Sequence, residues 1–183
     1  SDVYKRQVQE FITSKENNGE TVSLIVDDSS KNVLAAFSFI DKVKENSIKT
    51  IQELKSLGVK PVLISGDNKG SVKKVAQELG IEEYYSEVLP DEKSDIIKKL
   101  KEKHKTVSMV GDGVNDAPAL ALSDVGFAMS TGTDVAMHSA EVTLMRGDPL
   151  LIPDAISVSN ATYKKIKQNL FWAFFYNVVG IPL

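Results

Sequence analysis

At 183 residues, with 42% hydrophobic and 26% charged side chains, the chain is long enough to bury one good core and a small appendage, so one domain plus fragments is expected. A formal charge of −3 and a pI near 5.5, with no Lys/Arg block interleaved with aromatics, exclude a nucleic-acid groove. The absence of cysteine excludes disulfides, thiolate catalysis and thiolate metal sites within the chain, and fits a reducing compartment.

Residues 1–7 show no signal-peptide apolar stretch, are assigned no element and read as a non-native tail. Residues 21–26 and 33–40 are β-rich runs around Asp27-Asp28-Ser29-Ser30-Lys31-Asn32, which predicts a hairpin with a polar loop. From Asn46 the pattern changes. Ile48, Ile51, Leu54 and Leu57 recur at helical spacing and stop at Gly58; a strand follows over 61–65; Val72, Val75, Ala76 and Leu79 mark a second helix ending at Gly80. A short strand over 84–88, a helix capped by Asp91, and strands over 106–110, 125–129 and 142–145 complete an alternation that predicts an α/β fold with a doubly wound, mostly parallel sheet.

The stretch MVGDGVNDAPAL, residues 109–120, carries the chemistry. An apolar strand runs into Gly111 and Gly113, which permit a tight turn, and Asp116-Ala117-Pro118 reads as a helix start. Two carboxylates and an amide therefore sit at the carboxyl edge of the sheet, where open α/β folds place ligands. Asp112 and Asp116 are oxygen donors suited to a hard cation, since Mg²⁺ takes one or two protein carboxylates and fills its shell with water and phosphate. The plainer reading is a polar loop that caps a helix.

This string resembles the hinge motif of P-type ATPases, membrane cation pumps whose phosphorylation domain has the haloacid dehalogenase (HAD) fold. Three more matches follow family order: Ile64-Ser65-Gly66-Asp67-Asn68 resembles the TGD segment with serine for threonine, Leu89-Pro90-Asp91-Glu92-Lys93 the lysine segment, and Gly132-Thr133-Asp134-Val135-Ala136 the heavy-metal branch. The resemblance implies Asp112 as the Mg²⁺ ligand with Asp116 in support, Asn115 as a donor to the phosphate region, and Gly111 and Gly113 as cofactor-binding glycines. It implies Ser65, Gly66 and Asp67 as the loop that holds phosphoryl oxygens, and Lys93 as the group that neutralises them. ATP is the implied substrate of the intact pump.

The family's nucleophile motif, Asp-Lys-Thr-Gly-Thr, does not occur. Asp41-Lys42 begins similarly but continues Val43-Lys44, so hinge duty is the better reading. By resemblance the chain is then the C-terminal part of a pump: residues 8–40 end the nucleotide-binding domain, 41–150 form the phosphorylation domain without its first strand, and 151–183 are a linker helix and the start of a membrane helix. Such a protein sits in the membrane with its ATPase domain in the cytoplasm, and the remainder of the pump is its partner.

The tail supports that expectation independently. The run from Leu170 is uncharged to the last residue and Lys164, Lys165 and Lys167 lie just before it, as on a cytoplasmic flank. Tyr176-Asn177 resembles the pair found in copper(I)-transporting ATPases, whereas zinc and cadmium pumps place a lysine in this helix. The implied cargo is copper(I) or silver, with a copper chaperone as a further partner. Two alternatives stay open: a free-standing HAD phosphatase using Asp27 or Asp41, and a non-catalytic module that binds Mg²⁺ and phosphate.

Overall fold

The structure, a computed structural model, describes residues 2–40, 42–130 and 132–180, with side chains described from Lys5 onward. Helix α1, Asp2–Asn17, begins where no element is expected, and strands β1, Thr21–Val26, and β2, Val33–Phe39, form the predicted antiparallel hairpin. Then follow α2, Ser47–Ser56; β3, Val62–Ile64; α3, Lys69–Leu79; β4, Glu83–Tyr85; and α4, Pro90–Lys103. The second half holds β5, Ser108–Gly111; α5, Ala117–Leu122; β6, Val125–Met129; α6, Asp134–His138; β7, Val142–Leu144; and α7, Leu151–Gly180.

Local chemistry explains these boundaries. Gly80 ends α3 with a left-handed residue, and the Asn68 side chain starts it by accepting the Ser71 N–H at 2.9 Å. Asp91, the expected cap, lies inside the first turn of α4. Its cap is Leu89, Pro90 occupies the first helical position, and Glu92 reaches back to accept the Leu89 N–H at 2.9 Å.

The parallel strands form two ladders, β3-β4 and β5-β6-β7, and not one continuous sheet among the described residues. Each strand that begins a ladder, β3 and β5, pairs on one side only. Both ladders nevertheless close on one core. Val88, Ile96, Ile97, Leu100, Met109 and Leu120 are buried together, with Val62, Ile64 and Tyr85 of the other ladder packed against them. A second cluster joins Leu54 of α2 to Phe127, Met129, Leu144 and Ile152, and so seats the start of α7 on the β6-β7 face.

Beyond Ile156 every described residue of α7 is exposed. The expected long C-terminal helix is present, and among the described residues no helix is long and apolar enough to cross a membrane. The part of this helix before Leu170 carries Asp154, Lys164, Lys165 and Lys167, and the charge-free part from Leu170 to Gly180 is roughly 16 Å long, against a hydrocarbon core about 30 Å thick.

The start of β5 is pinned by Asp124. Its backbone N–H donates to Val107 O at 2.8 Å, its carboxylate accepts the Val107 N–H at 2.8 Å, and Lys101 Nζ lies 2.8 Å from the other oxygen. The Lys101 ammonium, followed by the Val107 amide, holds the Asp124 carboxyl below the usual aspartate range. A carboxylate whose folded pKa is depressed adds stability above its unfolded pKa, about 3.9, and loses it as pH falls through the lower folded value. We therefore expect Asp124→Asn to lower the urea midpoint at neutral pH and the difference from wild type to shrink below about pH 4. A difference that stays constant from pH 7 to pH 3 would contradict this role.

Candidate functional site

The turn after β5 is shaped by one carboxylate. Asp116, in the 3₁₀ turn Val114–Asp116, folds back beneath the loop. Its Oδ2 accepts the amide N–H groups of Asp112 at 3.3 Å and Gly113 at 3.2 Å, and its Oδ1 meets Lys93 Nζ of α4 at 2.6 Å. Position 111 must be glycine for this fold-back, because a Cβ there would lie 2.7 Å from the Asp116 Cβ. Gly111 and Gly113 thus have packing and amide-donor roles toward Asp116, and the Gly113 N–H is turned inward.

Asp112 is the opposite case. Its side chain is exposed at the carboxyl end of β5 and has no described hydrogen bond or ion pair, while its backbone is held on both sides. The N–H goes to Asp116, and the carbonyl accepts the Thr133 N–H at 2.9 Å. Asn115 is likewise exposed, in the same turn and without a described side-chain bond.

The second loop leaves β3. Ser65 N–H donates to Tyr85 O at 3.0 Å and its hydroxyl to Asp67 Oδ2 at 2.7 Å; Asp67 N–H returns to Ser65 Oγ at 3.2 Å. The segment entering α4 binds the same loop from outside, with Val88 N–H on Ser65 O at 3.1 Å and Glu87 N–H on Asp67 O at 2.9 Å. Glu87 accepts a left-handed backbone, φ 57°, to do so. The result is a connected relay: the Ser65-Gly66-Asp67 loop, the α4 entry, Lys93, Asp116 and the Asp112 peptide, all at carboxyl ends of parallel strands.

An exposed carboxylate is the kind of donor that Mg²⁺ takes, with water and phosphate in the rest of its shell; among the described residues no three His, Cys, Asp or Glu side chains are grouped so as to hold a metal ion by themselves. Asp112 is the side chain that would hold it; both Asp116 oxygens are already engaged.

The first alternative nucleophile, Asp27, makes no described bond to this group. Asp27 closes its own loop, accepting the Ser30 hydroxyl and the N–H groups of Ser29 and Ser30, and these bonds, the hydroxyl first, draw its pKa below the usual value. Asp41 lies outside the described residues. Tyr176 and Asn177 are far along α7, where Asn177 Nδ2 donates to Ala173 O at 2.9 Å.

A family model of haloacid dehalogenase-like hydrolases matches residues 2–124, and the chain belongs to that family. Within it, the sequence is 46% identical over 175 residues, 96% of the chain, to a copper-exporting P-type ATPase of Staphylococcus saprophyticus. It is 45% identical over 178 residues, again 96% of the chain, to a probable copper-importing P-type ATPase A of Enterococcus hirae. The chain spans 22% and 24% of those relatives' lengths. A crystal structure of a zinc-transporting PIB-type ATPase in an E2.Pi state superposes with a TM-score of 0.80 at 34% identity, covering 93% of this chain and 28% of that one.

The sequence puts these residues at element ends and says nothing of their linkage, in particular the Glu87 and Val88 amides, which no motif names. The side chains of Lys93 and Asp116 are only 18% and 12% exposed. A double-mutant cycle of Lys93→Met and Asp116→Asn should give a coupling of about 2 kcal/mol in urea unfolding. Additive effects would mean that the pair does not hold the loop.

Proposed function

We propose that this chain supplies the Mg²⁺ and phosphate-binding half of the phosphorylation site in a heavy-metal P-type ATPase, a membrane pump that exports copper(I), with silver as an equivalent cargo. The observation that carries the reading is the exposed, unbonded Asp112 carboxylate at the strand edge, backed by Lys93 and Asp116. The sequence similarity to P-type ATPases named for copper adds the cargo.

On this reading residues 8–40 end a nucleotide-binding domain, 41–150 form the phosphorylation domain and 151–183 lead into the membrane. Three features support the division. The hairpin leaves Ile25, Leu34, Phe37 and Phe39 exposed, and a two-stranded ribbon of this kind needs further strands or helices to bury them. The unpaired edges of β3 and β5 over one shared core fit one more parallel strand, which would bring the nucleophilic aspartate opposite Asp112. The exposed residues of α7 from Leu170 to Gly180 are apolar on all sides apart from Asn177, a pattern suited to lipid more than to a groove.

Bound Mg²⁺ supplies charge neutralisation and orientation of phosphoryl oxygens. The chain's own groups do the rest. Lys93 spends one N–H on Asp116 and keeps donors for a phosphoryl oxygen. The Ser65 hydroxyl, now donating to Asp67, needs only a side-chain rotation to donate to another anionic oxygen. The Asn177 amide is oriented by its bond to Ala173 and keeps its carbonyl oxygen for the cargo path.

In the full-length protein, Asp112→Ala should lower phosphoenzyme formation from ATP by about a hundredfold or more at Mg²⁺ levels that saturate wild type. Wild-type phosphoenzyme levels would refute the Mg²⁺ role. Hydrolysis of ATP should be stimulated by copper(I); stimulation by zinc(II) alone would overturn the cargo and leave the phosphorylation site standing.

A further inference from the structure

We propose that Gly132 and Thr133 are positioning residues for Asp112: the turn they form fixes the peptide that aims the metal-binding carboxylate. The inference rests on the Mg²⁺ reading above and extends it to a segment for which that reading has no use.

Asp112 has no described side-chain bond to orient it, so its direction is set by its backbone. One side of that backbone is held through the Asp112 N–H by Asp116 Oδ2, at 3.3 Å. The other side is held through the Asp112 carbonyl by the Thr133 N–H, at 2.9 Å. Gly132 makes the second hold feasible. A Cβ on it would stand 2.8 Å from the Asp112 Cα and closer still to the carbonyl oxygen, and backbone atoms cannot step aside as a flexible side chain could.

The turn is itself anchored at both ends. Gly132 N–H donates to Met129 O at 2.8 Å, where β6 ends, and the Thr133 hydroxyl caps α6 by accepting the Ala136 N–H at 3.3 Å. Ala136 is fully buried in the core beside Met109 and Leu120. The Asp112 peptide is therefore clamped between α6 and the Lys93–Asp116 pair, two supports that belong to different elements. Supports of this kind behind a metal ligand typically change affinity by about 10–100-fold when lost.

The test uses the full-length protein in detergent, with Mn²⁺ as a probe for Mg²⁺ read by electron paramagnetic resonance, and nucleotide affinity and the thermal midpoint measured alongside. Gly132→Ala should raise the Mn²⁺ Kd by about tenfold with nucleotide affinity unchanged. Thr133→Val, which removes the hydroxyl cap, should raise it by a smaller factor, and Thr133→Ser should restore the wild-type value. If Gly132→Ala does not fold, the comparison of Thr133→Val with Thr133→Ser decides. Wild-type Mn²⁺ affinity in the folded variants would overturn the positioning role. If Asp112→Ala also bound Mn²⁺ as wild type does, the Mg²⁺ assignment itself would fall, a result separable from loss of the Gly132 effect alone.

Discussion

A nearly buried carboxylate must be paired, and that requirement organises the site. Taking a charge out of water costs several kcal/mol, so Asp116 is tolerable beneath the β5 loop only with its oxygens satisfied. Lys93 satisfies one and two loop amides the other. Because Lys93 sits in the first turns of α4 and the amides belong to the loop after β5, the pair locks a helix to a strand end. The same need explains Gly111, whose missing side chain leaves the room into which Asp116 folds.

The two aspartates of the motif consequently divide their work. Asp116 is spent on the protein, whereas Asp112 has its backbone held and its carboxylate exposed. On the reading proposed above, a cation held by Asp112 and the Lys93 ammonium would be the two positive groups that a phosphoryl group meets.

The architecture distributes rigidity in step with this task. The relay lies over the shared core of Ile97, Leu100, Met109 and Leu120, where packing resists displacement. The hairpin and the outer part of α7 carry large exposed apolar side chains and few contacts with that core.

Much of this was legible in the residues themselves. The hairpin, helices α2 to α4 and the parallel strands followed from apolar spacing and from Gly58 and Gly80, since those signals act over a few residues and the helix and strand periods differ; α1 and α6 did not. The placement of the candidate site residues was legible for the same reason: Asp112, Asn115 and Asp116 share one strand-turn-helix, and Lys93 and Ser65 lie near element ends. Tertiary structure alone decided what each of them touches. The Lys93–Asp116 pair, the grip of Glu87 and Val88 on the Ser65 loop, and the seat of Gly132 against Asp112 join residues brought together only when separate elements pack. It also decided that β3 and β5 keep open edges, because strand pairing depends on which chains arrive beside one another and leaves no mark in the period of either strand.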